Sequence, residues 1–98
     1  MTTQNALGPA PGGNHAVSNL TAVTAVKASA GRLVRVNVVV AGSAPGSVNN
    51  AATTGAAAAA NKIASIPNTV GTYLFDWPCD TGITVSPGTG QTVSVSYS

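Results

Sequence analysis

The chain has 98 residues, with four Lys or Arg, two Asp or Glu and a single His, giving a net charge of +2 and 6% charged residues. A length of this order makes one domain that buries somewhat over ~60% of its unfolded surface, enough for one modest core and not for a deep walled pocket. So few titratable groups exclude the concentrated acid, base and metal-ligand sets on which small enzymes depend.

Residues 1–19, MTTQNALGPAPGGNHAVSN, read as an extended N-terminal arm. Gly8-Pro9-Ala10-Pro11-Gly12-Gly13 holds neither a helix nor a ladder, and polar residues flank it. The plain alternative is an unstructured tail; the sharper one is an arm that orders by adding to a neighbour, with Leu7 and Val17 as its sizeable apolar contacts. From Leu20 the pattern becomes β, and residues 20–98 form the predicted domain. Residues 20–29 make a first strand, ended by Ala30-Gly31. Residues 32–41 carry the clearest signal: Val34, Val36, Val38 and Val40 share one parity and Arg35 and Asn37 the other, as in a half-buried strand. Gly42 to Gly46 supply turn residues.

Residues 47–61 are rich in small side chains. Ala56 to Ala60 favour helix by propensity, but Pro67 closes the segment early, so a loop leading into a strand at Lys62 to Ile66 is the preferred reading over a short helix. Val70 to Trp77 follows, with Tyr73, Phe75 and Trp77 on one parity and expected to anchor the core, and Pro78 is expected to end that strand. Ile83 and Val85 alternate with Thr84 and Ser86; after the Pro87 to Gly90 turn, Val93, Val95 and Tyr97 point inward from a last strand. Six or seven short strands with regular turn signals predict an all-β fold, a small antiparallel β-sandwich or barrel.

No motif carries chemistry beyond this scaffold. Asp80-Thr81-Gly82 matches the active loop of aspartic proteases, whose chemistry needs two such carboxylates sharing a proton across a dimer axis. Here the string follows Pro78-Cys79 and lies near the chain end, so a turn opening the next strand is the preferred reading, and no catalytic residue is assigned. Asp76 and Asp80 supply too few oxygens for calcium, and Cys79 with His15 too few ligands for zinc, so no metal or cofactor is expected. A lone Cys79 makes no internal disulfide and is expected to be a small buried hydrophobe. Lys27, Arg32, Arg35 and Lys62 are too dispersed to track phosphates, so nucleic acid is not an expected partner. No apolar run approaches a membrane span and the N-terminus does not resemble a signal peptide, which points to maturation in the cytoplasm. Trp77 with Tyr73 is a candidate sugar platform, set against plain core packing.

Four stretches carry a resemblance: Gly31-Arg32-Leu33-Val34-Arg35-Val36, Ala41-Gly42-Ser43, Ile66-Pro67-Asn68-Thr69-Val70-Gly71, and Pro87 to Tyr97 (PGTGQTVSVSY). Through them the region Gly31 to Ser98 resembles small β-rich structural proteins of tailed-bacteriophage virions, of the capsid decoration or cement type. The resemblance implies a non-enzymatic virion protein, assembled in the bacterial host cytoplasm, that bridges neighbouring major capsid subunits. Its partners would be the major capsid protein and copies of itself, as a dimer or trimer, with no small-molecule substrate. In that setting Arg32, Arg35 and Lys62 would meet capsid acids. The 6% charge fits, since such a surface suits a protein that is packed against others. A head–tail, tail or fibre-associated component that binds host sugar is the alternative within the particle, and an aspartic-protease-like enzyme is the remote one.

Overall fold

A computed structural model describes residues 13–98 of the chain. They form eight strands: β1 (His15–Leu20), β2 (Thr24–Lys27), β3 (Gly31–Val40), β4 (Gly46–Asn49), β5 (Lys62–Ile66), β6 (Gly71–Cys79), β7 (Ile83–Ser86) and β8 (Thr92–Tyr97). Two four-stranded sheets result, in the orders β1-β8-β3-β6 and β2-β7-β4-β5. Every pairing is antiparallel. Four of these pairings, β1 with β8, β2 with β7, β3 with β6 and β4 with β5, are those of one long two-stranded ribbon. The ribbon is rolled so that β8 also meets β3 and β7 also meets β4. This strand order is that of a jelly roll, a double-sheet arrangement of two Greek keys.

The all-β reading holds, with eight strands in place of six or seven. The difference lies at the start of the chain, where the expected strand over residues 20–29 is divided by Thr21–Val23 and the two parts lie in different sheets. Residues 15–19, read in the sequence as part of the arm, lie in an edge strand of the first sheet, His15–Leu20, and the Asn14 amide before it donates to the Tyr97 carbonyl (3.0 Å). The alternation of this strand is hidden by a bulge. Val17 faces Val95 and Leu20 faces Val93, three residues against two, and Asn19 takes up the extra residue at φ 60°, a left-handed conformation that Asn tolerates better than most residues.

The core lies between the sheets. Leu33, Val36 and Val38 from β3 meet Val93 and Val95 from β8, while Val48, Ile66, Ile83 and Val85 close it from the second sheet. Each such side chain taken from water contributes about 1.5–3 kcal/mol. Against β8, three residues of β3 (Leu33 to Arg35) face two, so Leu33 and Val36 both point inward although their parities differ. Val40, expected inside with the other valines of β3, is 50% exposed.

Residues 51–61 form neither a helix nor an open loop but two 3-10 turns, Thr54–Ala56 and Ala59–Asn61. Asn61 organises them. Its Oδ1 accepts from the Ala58 amide (3.0 Å) and from Nδ2 of buried Asn49 (2.9 Å), and its own Nδ2 donates to the Ala56 carbonyl (2.8 Å). Strand β5 then begins at Lys62 and ends at Ile66, as expected. Two more amide side chains tie distant turns together. Asn68 exchanges bonds of 2.7 Å with both backbone groups of Gly42, and buried Gln91 donates to the Pro67 carbonyl (2.9 Å) while accepting from the Gly88 amide (3.0 Å).

Candidate interaction surface

Strand β6 (GTYLFDWPC) is an edge: among the described residues β3 pairs with one side of it and no strand with the other. Four consecutive pairs, from Gly71 opposite Val38 to Leu74 opposite Arg35, are in regular register. A bulge then intervenes, because Trp77 is opposite Leu33, so three residues of β6 span what two cover on β3. Asp76 sits in the bulge at φ 48°. Its carboxylate accepts from the Arg32 guanidinium at 2.6 Å, with both side chains open to solvent. Pro78, expected to end the strand, instead lies inside it opposite Arg32, where its missing N–H is harmless on an edge.

This edge is also where apolar surface shows. Tyr73 and Phe75 are half-buried against the core, and Tyr73 Oη donates to the Thr69 carbonyl (2.7 Å). Trp77 does not anchor the core as expected; it is 51% exposed, while Leu74 is 66% and Val70, just before the strand, 61% exposed. The sequence reading missed Leu74 and Val70. The available signal was a Leu on the polar parity of its strand, between Thr72 and Asp76.

The basic residues proposed as partner contacts are not brought together. Arg32 is held by Asp76. Arg35 lines a shallow depression of about 300 Å³ on the outer face of the first sheet, with Asn37, Thr72, Ser94 and Ser96. Thr72 Oγ1 donates to Asn37 Oδ1 there, and Ser96 Oγ is buried with no hydrogen-bond partner among the described residues. Lys62 lies on the second sheet, at a separate depression of about 200 Å³ beside Asn49 and Ser86. Val17 is half-buried against the core, opposite Val95, so its side chain serves the fold before any partner. Leu7 lies outside the described residues.

The protease-like string forms the turn between β6 and β7. Asn50 Oδ1 accepts from the amides of Thr81 (2.9 Å) and Gly82 (3.3 Å). A Cβ on Gly82 would stand 2.7 Å from backbone atoms of Ala51, Ala52 and Lys27, so packing alone accounts for this glycine. Buried Cys79 has its thiol pushed up chiefly by desolvation; Asp80 adds to that and a backbone hydrogen bond at Leu33 works against it. His15 stands with its ring centroid 5.4 Å from that of Tyr97. Among the described residues no three His, Cys, Asp or Glu side chains gather as a metal would require. No protein-family model, no curated protein and no solved structure matches this chain. Chemically this surface is able to hydrogen-bond along an open strand and to bury apolar side chains.

Proposed function

We propose that this chain is a structural virion protein of a tailed bacteriophage, seated on the outside of the head, where it bridges neighbouring major capsid subunits. The observation that carries the reading is the β6 edge, whose outer backbone is unpaired among the described residues and which exposes Leu74 and Trp77. A long apolar edge of this kind invites association, and proteins that live free in solution blunt it with charge or cover it. Past Leu74 the bulge, the Asp76 carboxylate and Pro78 blunt the edge, which leaves the regular stretch from Gly71 to Leu74 open, and the 6% charge of the chain suits a protein held in an assembly. The jelly roll supports the reading at the level of analogy, since viral capsid domains use it, as do lectins and cupins. Burial of apolar surface at each contact opposes separation of capsid subunits under the pressure of packaged DNA. Arg35, which has no carboxylate beside it among the described residues, is the basic group on the open sheet face best placed to meet capsid acids.

Cryo-electron microscopy of purified particles tests the reading. Density for the jelly roll on the head exterior is the expected result; its absence from heads, or its presence only on tails, overturns the assignment. A second reading has one specific observation in its favour. Trp77 is exposed at 51% beside an Arg–Asp pair, an arrangement able to stack on and hydrogen-bond a sugar ring. A fibre-associated sugar binder would show saturable quenching of Trp77 fluorescence by host-surface polysaccharide.

A further inference from the structure

The edge β6 needs an occupant, and the geometry points to one: we propose that residues 2–7 of a second copy add to β6 as a fifth strand, exchanging arms between copies of the chain. The inference rests on the assembly reading above and names the partner of its surface. His15, Tyr97, Leu33 and Trp77 stand opposite one another in a row across the first sheet. The described chain begins at this Trp77 end but on the opposite edge, where the Asn14 amide donates to the Tyr97 carbonyl at 3.0 Å. Three strand spacings of about 4.8 Å separate the two edges, roughly 14 Å.

The arm divides into two parts that suit this task. Thr2-Thr3-Gln4-Asn5-Ala6-Leu7 has a backbone donor at every position, whereas Gly8-Pro9-Ala10-Pro11-Gly12-Gly13 has prolines that cannot pair and so ends a strand and acts as a connector. Six extended residues span about 20 Å, which covers the regular stretch of β6 from Gly71 to Leu74 and reaches the bulge. Strand direction decides between the same chain and another. β6 runs toward the Trp77 end, the end at which the arm joins β1. An arm folded back over its own sheet would have to cross that end and then run parallel to β6. An arm from a second copy is free to pair antiparallel, the slightly more stable ladder and the one used by every other pair in the fold. Leu7 is then the arm's large apolar group, available to cover Leu74 or Trp77. Because donor and acceptor edges lie on opposite sides of one sheet, the contact is head-to-tail, and copies joined by it close into a ring if the rotation allows.

The test is the mass of the purified full-length chain by light scattering over a wide dilution series, with Trp77, the chain's single tryptophan, as a local reporter. The intact chain is expected to form discrete oligomers with blue-shifted Trp77 emission, and both features should fade together on dilution. Deletion of residues 2–7, and separately Leu7→Asp, should give monomers with unchanged circular dichroism and red-shifted emission. Leu74→Lys, at an exposed position, should do the same from the acceptor side. An intact chain that stays monomeric at every concentration overturns the proposal. So does a deletion variant that assembles as the intact chain does, or a Trp77 shielded by the arm within a monomer, which would place the arm on its own edge. Particle retention separates the two readings: an intact chain that is held on heads but never oligomerises sinks the arm exchange alone, whereas an arm-exchanged oligomer absent from every particle sinks the virion reading alone.

Discussion

The Arg32 guanidinium donates to the Asp76 carboxylate at 2.6 Å, fastening β3 to the bulge of β6. The pair commits within the molecule one of the few cations that the sequence offers to a partner. Both side chains are solvated, so screening leaves the pair worth at most about 1 kcal/mol. The backbone beneath it matters as much, because Asp76 sits at φ 48°. Urea titration should find Arg32→Ala within about 1 kcal/mol of the parent. Asp76→Val should cost a further ~1–2 kcal/mol, since a β-branched residue resists the left-handed region. Asp76→Gly should recover that backbone part, and equal losses for Val and Gly would refute it.

Val36 and Val40 share parity in β3 but not environment. Val36 is fully buried and Val40 is 50% exposed. Val36→Asp places an unpaired carboxylate in the core at a cost of several kcal/mol, comparable with the ~5–15 kcal/mol that holds a domain together. Val40→Asp should stay within about 0.5 kcal/mol. Far-ultraviolet circular dichroism of the two variants separates them. A folded Val36→Asp would mean that the core is not where the two sheets place it.

Cys79 carries a pH signature. Burial raises its thiol above the ordinary value, so the folded state binds this proton more tightly than the unfolded state. The resulting stability is fully present below the unfolded value of about 8.5 and is lost as the pH rises through the higher folded value. Denaturation midpoints should therefore fall on the alkaline side, and Cys79→Ala should flatten that limb. Thiol reagents at neutral pH should label the native protein slowly and the urea-unfolded protein fast; equal rates would contradict the burial.

In the turn after β6, Gly82 and Asp80 should behave oppositely. A methyl group at Gly82 meets backbone on three sides, so Gly82→Ala should destabilise by about 1–3 kcal/mol. Asp80 is exposed, and Asp80→Asn should leave stability within about 0.5 kcal/mol. Acid-pH peptide cleavage by the parent that Asp80→Asn abolished would revive the protease reading.

Alternation of valine with polar residues in β3 and β8, and the turns at Gly42–Gly46 and Pro87–Gly90, were enough by themselves to determine an all-β chain and to place Val36, Val38, Val93 and Val95 in its core. Those features are local: a period of two along an extended backbone selects one face whatever strand lies beside it. The strand ending at Ile66 was legible for a similar reason, since Pro67 bars continuation of a helix, whereas the two 3-10 turns before it were not. Strand order, by contrast, was decided only by contacts between distant parts of the chain, and so were β1's place in the sheet and the open side of β6. Three of the bulges, in the β1–β8, β3–β8 and β3–β6 pairings, explain several of the remaining differences. Each inserts a residue and resets which parity faces inward, so Leu33 enters the core, Leu20 pairs three residues after Val17, and Trp77 ends opposite a buried leucine yet half in water. A bulge exists because two strands pair on either side of it, and that pairing is a property of the folded chain rather than of any short stretch of residues.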